Sequence, residues 1–305
     1  MLDENTSLSY DPYRGLVETF RFSRETGFVT NTAPRDLGHD EVLMKPHSGI
    51  CYTDVHAKEK RCGLGHEGVG TVLKLGEGIK DLDIGERVGW GFDFLLAIGS
   101  CKVCAHGYRQ YSAEACGFAF GELDHGSWET TRSKTAPFAA TAGVVGIGGL
   151  GHVAVLFAKA MGCAVTALSD TPDKNEDAQE MGADEFIFLD REQQSNPGNK
   201  VGDSSPIDVL LLCANEIPSL TDLIPLLARR ARIVCMTIQQ TPIEVPYMLF
   251  ILPGLRIIAS TEASRQHFQN TSVFVARHAI KLWTLRFPLT RDGMADASKT
   301  LEEGR

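Results

Sequence analysis

The chain has 305 residues, room for two ordinary domains, and its 43% hydrophobic and 23% charged residues are the balance of a folded globular protein. A formal net charge of −9 argues against a nucleic-acid partner. The longest apolar runs, such as 209–213, are too short to cross a bilayer, and the acidic start 1–5 lacks an export signal, so a cytoplasmic protein without membrane contact is expected.

The first part of the chain is strand-like and punctuated by glycine. Residues 68–78 read as an apolar strand followed by a turn, and 83–90 as a turn entering another strand, which predicts a small all-β unit. Two segments in this part carry chemistry: Cys51-Tyr-Thr-Asp-Val-His56 and Gly65-His66-Glu67. A soft thiolate and an imidazole suit Zn²⁺, and a nearby carboxylate can complete or tune such a site. A catalytic zinc site normally takes three protein ligands and keeps one position open. Cys62 and Cys116 are conceivable further donors, but the spacing selects neither. The bland alternative is a Cys and a His that only pack. Eight scattered cysteines read as metal ligands and buried thiols, not as a disulfide framework. Cys163, Cys213 and Cys235 lie in apolar strand contexts and are expected in the core.

The pattern changes near Thr141. Residues 142–148 form an apolar strand running into glycines, and 152–161 carry apolar residues at helical spacing. A second strand at 162–168, a polar helix at 174–181 closed by Gly182, and a third strand at 185–189 follow. Residues 208–212, 231–235 and 255–259 read as further buried strands. Strands alternating with helices predict a parallel sheet.

Gly146-Ile147-Gly148-Gly149-Leu150-Gly151 matches G-x-G-x-x-G, with a strand before it, a helix after it and a second strand beyond. Such glycines allow a tight turn and let a pyrophosphate approach the helix N-terminus, where free N–H groups and the dipole favour an anion. A turn serving only backbone geometry is the alternative. At the end of the second strand, Ser169 holds the position usually taken by the NAD-selecting acid, and Asp170 follows one residue later. Ser169, Thr171 and Lys174 together favour NADP over NAD; otherwise the stretch is a solvated turn with Asp173 or Thr171 capping a helix.

Taken in order, the Cys-x-Thr-Asp-x-His segment, the Gly-His-Glu segment and the late dinucleotide loop resemble the zinc-containing medium-chain alcohol dehydrogenases. The likeness is strongest to the NADP-using cinnamyl-type branch, particularly its fungal members. Residues 144–152, 161–165 and 274–281 support it. The resemblance implies an α/β protein: a GroES-like β-barrel domain over 1–140, a Rossmann doubly wound domain over 141–282, and a C-terminal return over 283–305. It implies reversible hydride transfer between NADP(H) and an alcohol or its aldehyde, with zinc as Lewis acid, in the setting of specialised metabolism. Cys51 and His66 match zinc ligands, and Glu67 matches their acidic neighbour. Thr53 matches the hydroxyl that exchanges a proton with the substrate oxygen beside the cofactor, and His56 the outer end of that relay. Tyr52 stands where the family often has histidine. A homodimer is a family expectation.

Three departures from the family pattern stand out. The Cys-Ala-Gly-type segment that carries the last catalytic thiolate is absent between Phe138 and Gly143, and the run from Cys51 to His66 is shortened. The structural-zinc pattern falls on Ile98, Cys101, Cys104 and Ser112, leaving two thiolates as a remnant, with His106 and Cys116 nearby. The sequence also stops at Arg305, before the family's usual last strand. Two alternatives therefore accompany the dehydrogenase reading: a zinc-independent enone or quinone reductase on the same scaffold, or an inactive nucleotide-binding remnant.

Overall fold

A computed structural model describes residues 16–34, 37–57, 67–90, 93–95, 115–117, 140–189, 206–239, 241–259 and 265–304. The chain divides into two compact units, one of Met1–Ile98, Ala113–Asp124 and Arg286–Arg305, the other of Gly99–Ser112 and His125–Leu285.

The first unit begins with a hairpin of β1 (Leu16–Ser23) and β2 (Gly27–Pro34), in register from Leu16 opposite Pro34 to Ser23 opposite Gly27. Gly27 closes its turn at φ +71, a conformation that costs a Cβ-bearing residue steric energy. β3 (Val42–Ser48) leads into a short helix, α1 (Tyr52–Ala57). β4 (Gly68–Leu75) lies between β3 and β5 (Arg87–Trp90) in a three-stranded antiparallel sheet. β6 (Asp93–Leu95) and β7 (Ala115–Gly117) form a separate antiparallel pair.

The second unit is built on six parallel strands. They are β8 (Thr141–Val145), β9 (Ala164–Ser169), β10 (Glu185–Phe188), β11 (Ile207–Leu212), β12 (Leu227–Cys235) and β13 (Arg256–Ala259). Their order in the sheet is β10-β9-β8-β11-β12-β13. Helices α2 (Gly149–Ala160) and α3 (Lys174–Glu180) connect the first three strands. Further along come α4 (Leu220–Leu223), α5 (Tyr247–Ile251) and α6 (Arg265–His278). The chain returns to the first unit as α7 (Arg291–Glu302), capped by Thr290, whose hydroxyl accepts from the Gly293 N–H at 3.2 Å.

Central parallel strands are covered on both faces and so read as continuous apolar runs. All of β8 is buried, and the two faces of the sheet carry separate clusters. On one face α2 presents Gly151, Ala154, Val155 and Ala158, a helical stripe of small residues, to Ala142, Val144, Val165 and Ala167. On the other, Leu168, Ile207, Leu210, Leu212 and Ile233 form the larger cluster. Gly143 belongs to that tight packing: a Cβ there would come 2.7 Å from Ile207 Cδ1.

Three expectations need correction. The first unit is not all-β, because α1 and α7 belong to it. The strand near 255–259 is buried only in part: Leu255 lies in the core, but among the described residues β13 is the edge of its sheet, with Arg256 exposed and Ile257 39% exposed. Cys213 is buried, but Cys163 and Cys235 are only partly so. No described helix is long and apolar enough to cross a membrane.

Candidate functional site

Strand order reverses at β8, which has β9 on one side and β11 on the other, so the carboxyl ends of β8 and β11 frame a crevice where open α/β sheets hold ligands. The glycine loop leaves β8 at this point. Gly146 has φ +86, its N–H donates to the Leu168 carbonyl at 2.8 Å, and a Cβ on it would come 2.5 Å from Ala214 Cα. Only glycine meets both demands. Ile147 is buried and anchors the turn. Gly148 and Gly149 face open space, with nothing within 4 Å of where a Cβ would sit. A Cβ on Gly151 would overlap the Gly146 carbonyl oxygen, so this glycine lets helix and strand meet. Leu150, between them, is 49% exposed.

Gly148 caps α2 without a side-chain hydrogen bond, and the first turn holds no acidic residue. The opening N–H groups of a helix have no intrahelical acceptor. The loop therefore offers donors, a favourable dipole and a glycine floor to an anionic group. Its far wall is tied down by Thr237, whose hydroxyl reaches the carbonyls of Leu212 (3.0 Å) and Ala214 (2.7 Å).

The end of β9 lies beside this crevice. Ser169 is 5% exposed, and its hydroxyl accepts from the Thr171 N–H at 3.1 Å. The Thr171 hydroxyl donates to Asp170 Oδ1 at 3.3 Å. Asp173 is the residue before α3 but makes no side-chain cap, and Lys174, the first residue of α3, pairs with Asp177 at 3.0 Å.

In the first unit, Cys51 precedes α1 and serves as its cap. Its Sγ accepts from the Thr53 N–H at 3.3 Å, while its own N–H donates to Asp54 Oδ2 at 3.0 Å. This resembles a capping box, with sulfur as the acceptor and the N–H of the second helical residue, Thr53, as the donor, while the Asp54 N–H donates to the Cys51 carbonyl at 3.0 Å. Asp54 is 4% exposed, so the box is held from inside. Tyr52 and His56, one turn apart, meet edge to face with centroids 5.6 Å apart. Pairing of β3 with β4 brings Glu67 to the same end of the sheet: the Gly49 N–H donates to the Glu67 carbonyl at 2.8 Å, and a Cβ on Gly49 would come 3.1 Å from Glu67 Cγ.

His66, Cys62, Cys101, Cys104 and His106 lie outside the described residues, as does the junction at 137–139; for Cys116 only the backbone of β7 is described. Among the described residues, no group of three His, Cys, Asp or Glu side chains is placed to hold a metal. Cys51 and Glu67 alone do not make a zinc site. Two contributors went unread in the sequence. Asp54 follows the candidate ligand by three residues at a helix start, a spacing that signals a capping box. Asp177 is visible only as one acid in a polar helix.

The alcohol dehydrogenase GroES-like domain model matches residues 38–158, and the zinc-binding dehydrogenase model matches residues 149–277. Cinnamyl alcohol dehydrogenase 8 of Arabidopsis thaliana is 27% identical over 316 positions, covering 87% of this chain and 83% of that protein. Those aligned positions outnumber the residues of the chain, so the relative contains segments that this chain lacks. A cinnamyl alcohol dehydrogenase from Sorghum bicolor has a similar fold, with TM-score 0.78, 23% identity and 94% of each chain covered. A Helicobacter pylori CAD structure, complexed with NADP(H), has TM-score 0.76 and 22% identity, covering 95% of this chain and 96% of that one.

Proposed function

The chain belongs to the zinc-containing medium-chain alcohol dehydrogenases, cinnamyl-type branch, and we propose that it moves a hydride between NADP(H) and an alcohol or its aldehyde. The observation that carries this reading is the strand–glycine–helix unit at 141–160, with Gly148 and Gly149 open to a ligand and no carboxylate in the first turn of α2. When bound, the dinucleotide supplies or accepts the hydride. Gly146 to Gly151 hold its pyrophosphate, with Ile147 and Leu150 shaping the turn. Ser169, Thr171 and Lys174 would receive the adenosine ribose and its 2′-phosphate, with Asp170 beside them in sequence.

On the substrate side, the Thr53 hydroxyl gives a proton to the substrate oxygen in the reduction direction, and His56 returns it from solvent. The capping box of Cys51 and Asp54 fixes the backbone that carries Thr53. Cys51, His66 and Glu67 would form an incomplete catalytic zinc site, short of the family's last thiolate, and Cys101 with Cys104 a remnant of a structural site. The proposal takes 1–140 as the substrate-side domain, 141–282 as the cofactor domain and 283–305 as the C-terminal return. It places the protein in the cytoplasm, acting on a small molecule, as a homodimer.

Calorimetric titration with NADPH, then aldehyde-dependent oxidation of NADPH over an aldehyde panel, tests the reading. Binding together with turnover is expected. Binding without turnover on any aldehyde would leave only a nucleotide-binding protein. Metal analysis of the same protein assigns the chemistry: bound zinc, with aldehyde reduction abolished in Cys51→Ala, supports the alcohol dehydrogenase, whereas enone reduction by metal-free protein supports a reductase.

A further inference from the structure

Two of the groups that would receive a 2′-phosphate, Thr171 and Lys174, already direct donors to carboxylates of the chain. Ser169 accepts from the Thr171 N–H, the Thr171 hydroxyl donates to Asp170, and Lys174 pairs with Asp177 at 3.0 Å. Lys174 is the sole cation between β9 and the end of α3, where Asp170, Asp173, Glu176, Asp177 and Glu180 are all acidic. The Lys174 side chain is 23% exposed and that of Asp177 is 40% exposed, so the pair lies at the surface and can part. We infer that Asp177 is a specificity-determining residue: its carboxylate competes with a ribose 2′-phosphate for Lys174 and thereby sets how strongly the site prefers NADP(H) to NAD(H).

This inference rests on the cofactor site proposed above. A phosphate monoester carries nearly two negative charges, so it outcompetes one carboxylate for a lysine, but it must first displace that carboxylate. NAD(H), with a bare 2′-hydroxyl, gains nothing from the exchange. Asp177 therefore weakens NADP(H) alone. The i, i+3 spacing on α3 keeps the carboxylate within reach of Lys174 after the exchange, where it also repels the incoming phosphate.

Calorimetric titration of NADPH and NADH into the parent, Asp177→Asn, Lys174→Met and the double variant tests this. Asp177→Asn is expected to tighten NADPH about five- to tenfold, as fits one surface ion pair and one repulsive charge, and to leave NADH within about twofold. NADH binding in the same sample also reports that the site is folded. In the Lys174→Met background the gain from Asp177→Asn should shrink to about twofold or less, because the competition has lost its object. An unchanged preference in Asp177→Asn, or equal tightening of both dinucleotides, would overturn the inference while leaving the cofactor site standing. Full tightening in the Lys174→Met background would overturn it too, since the effect would then be general charge repulsion. If the parent binds neither dinucleotide, the proposed cofactor site fails and the inference fails with it.

Discussion

Cys213 follows β11, with its N–H on the Val145 carbonyl at 2.9 Å and 7% of its surface exposed. Burial pushes its thiol from an ordinary 9.0 up to about 12. An unfolded thiol ionises near 9, while the folded one holds its proton, so the folded state binds more protons above that pH and stability falls as pH rises from 9 towards 12. Denaturant titrations at about pH 8 and about pH 10.5 should show the parent losing roughly 1 to 2 kcal/mol more than Cys213→Ala between the two. Equal losses would show that the thiol does not govern the alkaline limb. Cys163 and Cys235 occupy similar apolar contexts in the sequence, yet both are partly exposed. Local hydrophobicity says that a residue belongs on a strand; it does not say how well the next layer covers it.

The glycine loop and α2 behave as one element. Gly151 is where the helix touches the strand it came from, since a Cβ would meet the Gly146 carbonyl, a backbone atom that cannot rotate aside. Gly151→Ala should therefore cost about 3 kcal/mol of stability and abolish NADPH binding, read by denaturant melting and calorimetry. Gly149→Ala, placed in open space, should fold normally, because alanine favours a helical position over glycine. If both variants behave alike, the close approach is not what the loop depends on. This loop was legible because its requirements are local: a strand, three glycines and a helical stripe follow one another in sequence. The helix start at Cys51 was less so. The motif there was read as chemistry, and the structure adds that the same sulfur caps α1, with buried Asp54 completing the box. The apolar residues at 255–259 predict a buried strand, but only Leu255 is in the core, and among the described residues β13 is paired on one side only.

For the whole molecule, a dinucleotide that binds the folded cofactor unit and not the unfolded chain must stabilise it. At about a hundredfold excess over Kd, NADPH should add about 2.7 kcal/mol and raise Tm by roughly 5 to 10 °C, while nicotinamide mononucleotide, which lacks the adenosine half, should add far less. Equal shifts with both compounds would argue against the adenosine contacts at Ser169 and Lys174. The sequence by itself determined the alternation of strands and helices, the glycine loop between β8 and α2 and the ancestry of the Cys51 to Glu67 segment, because periodicity, glycine spacing and motif order are properties of neighbours along the chain. It also exposed the absence of a Cys-Ala-Gly segment before Gly143. Tertiary structure alone decided that β8 and β11 meet at the reversal of strand order, that Gly49 backs onto Glu67, and that Lys174 is held by Asp177. The first two join residues remote in sequence. The third joins neighbours on one helix, but their side chains choose among several partners only once the helix is placed against the sheet.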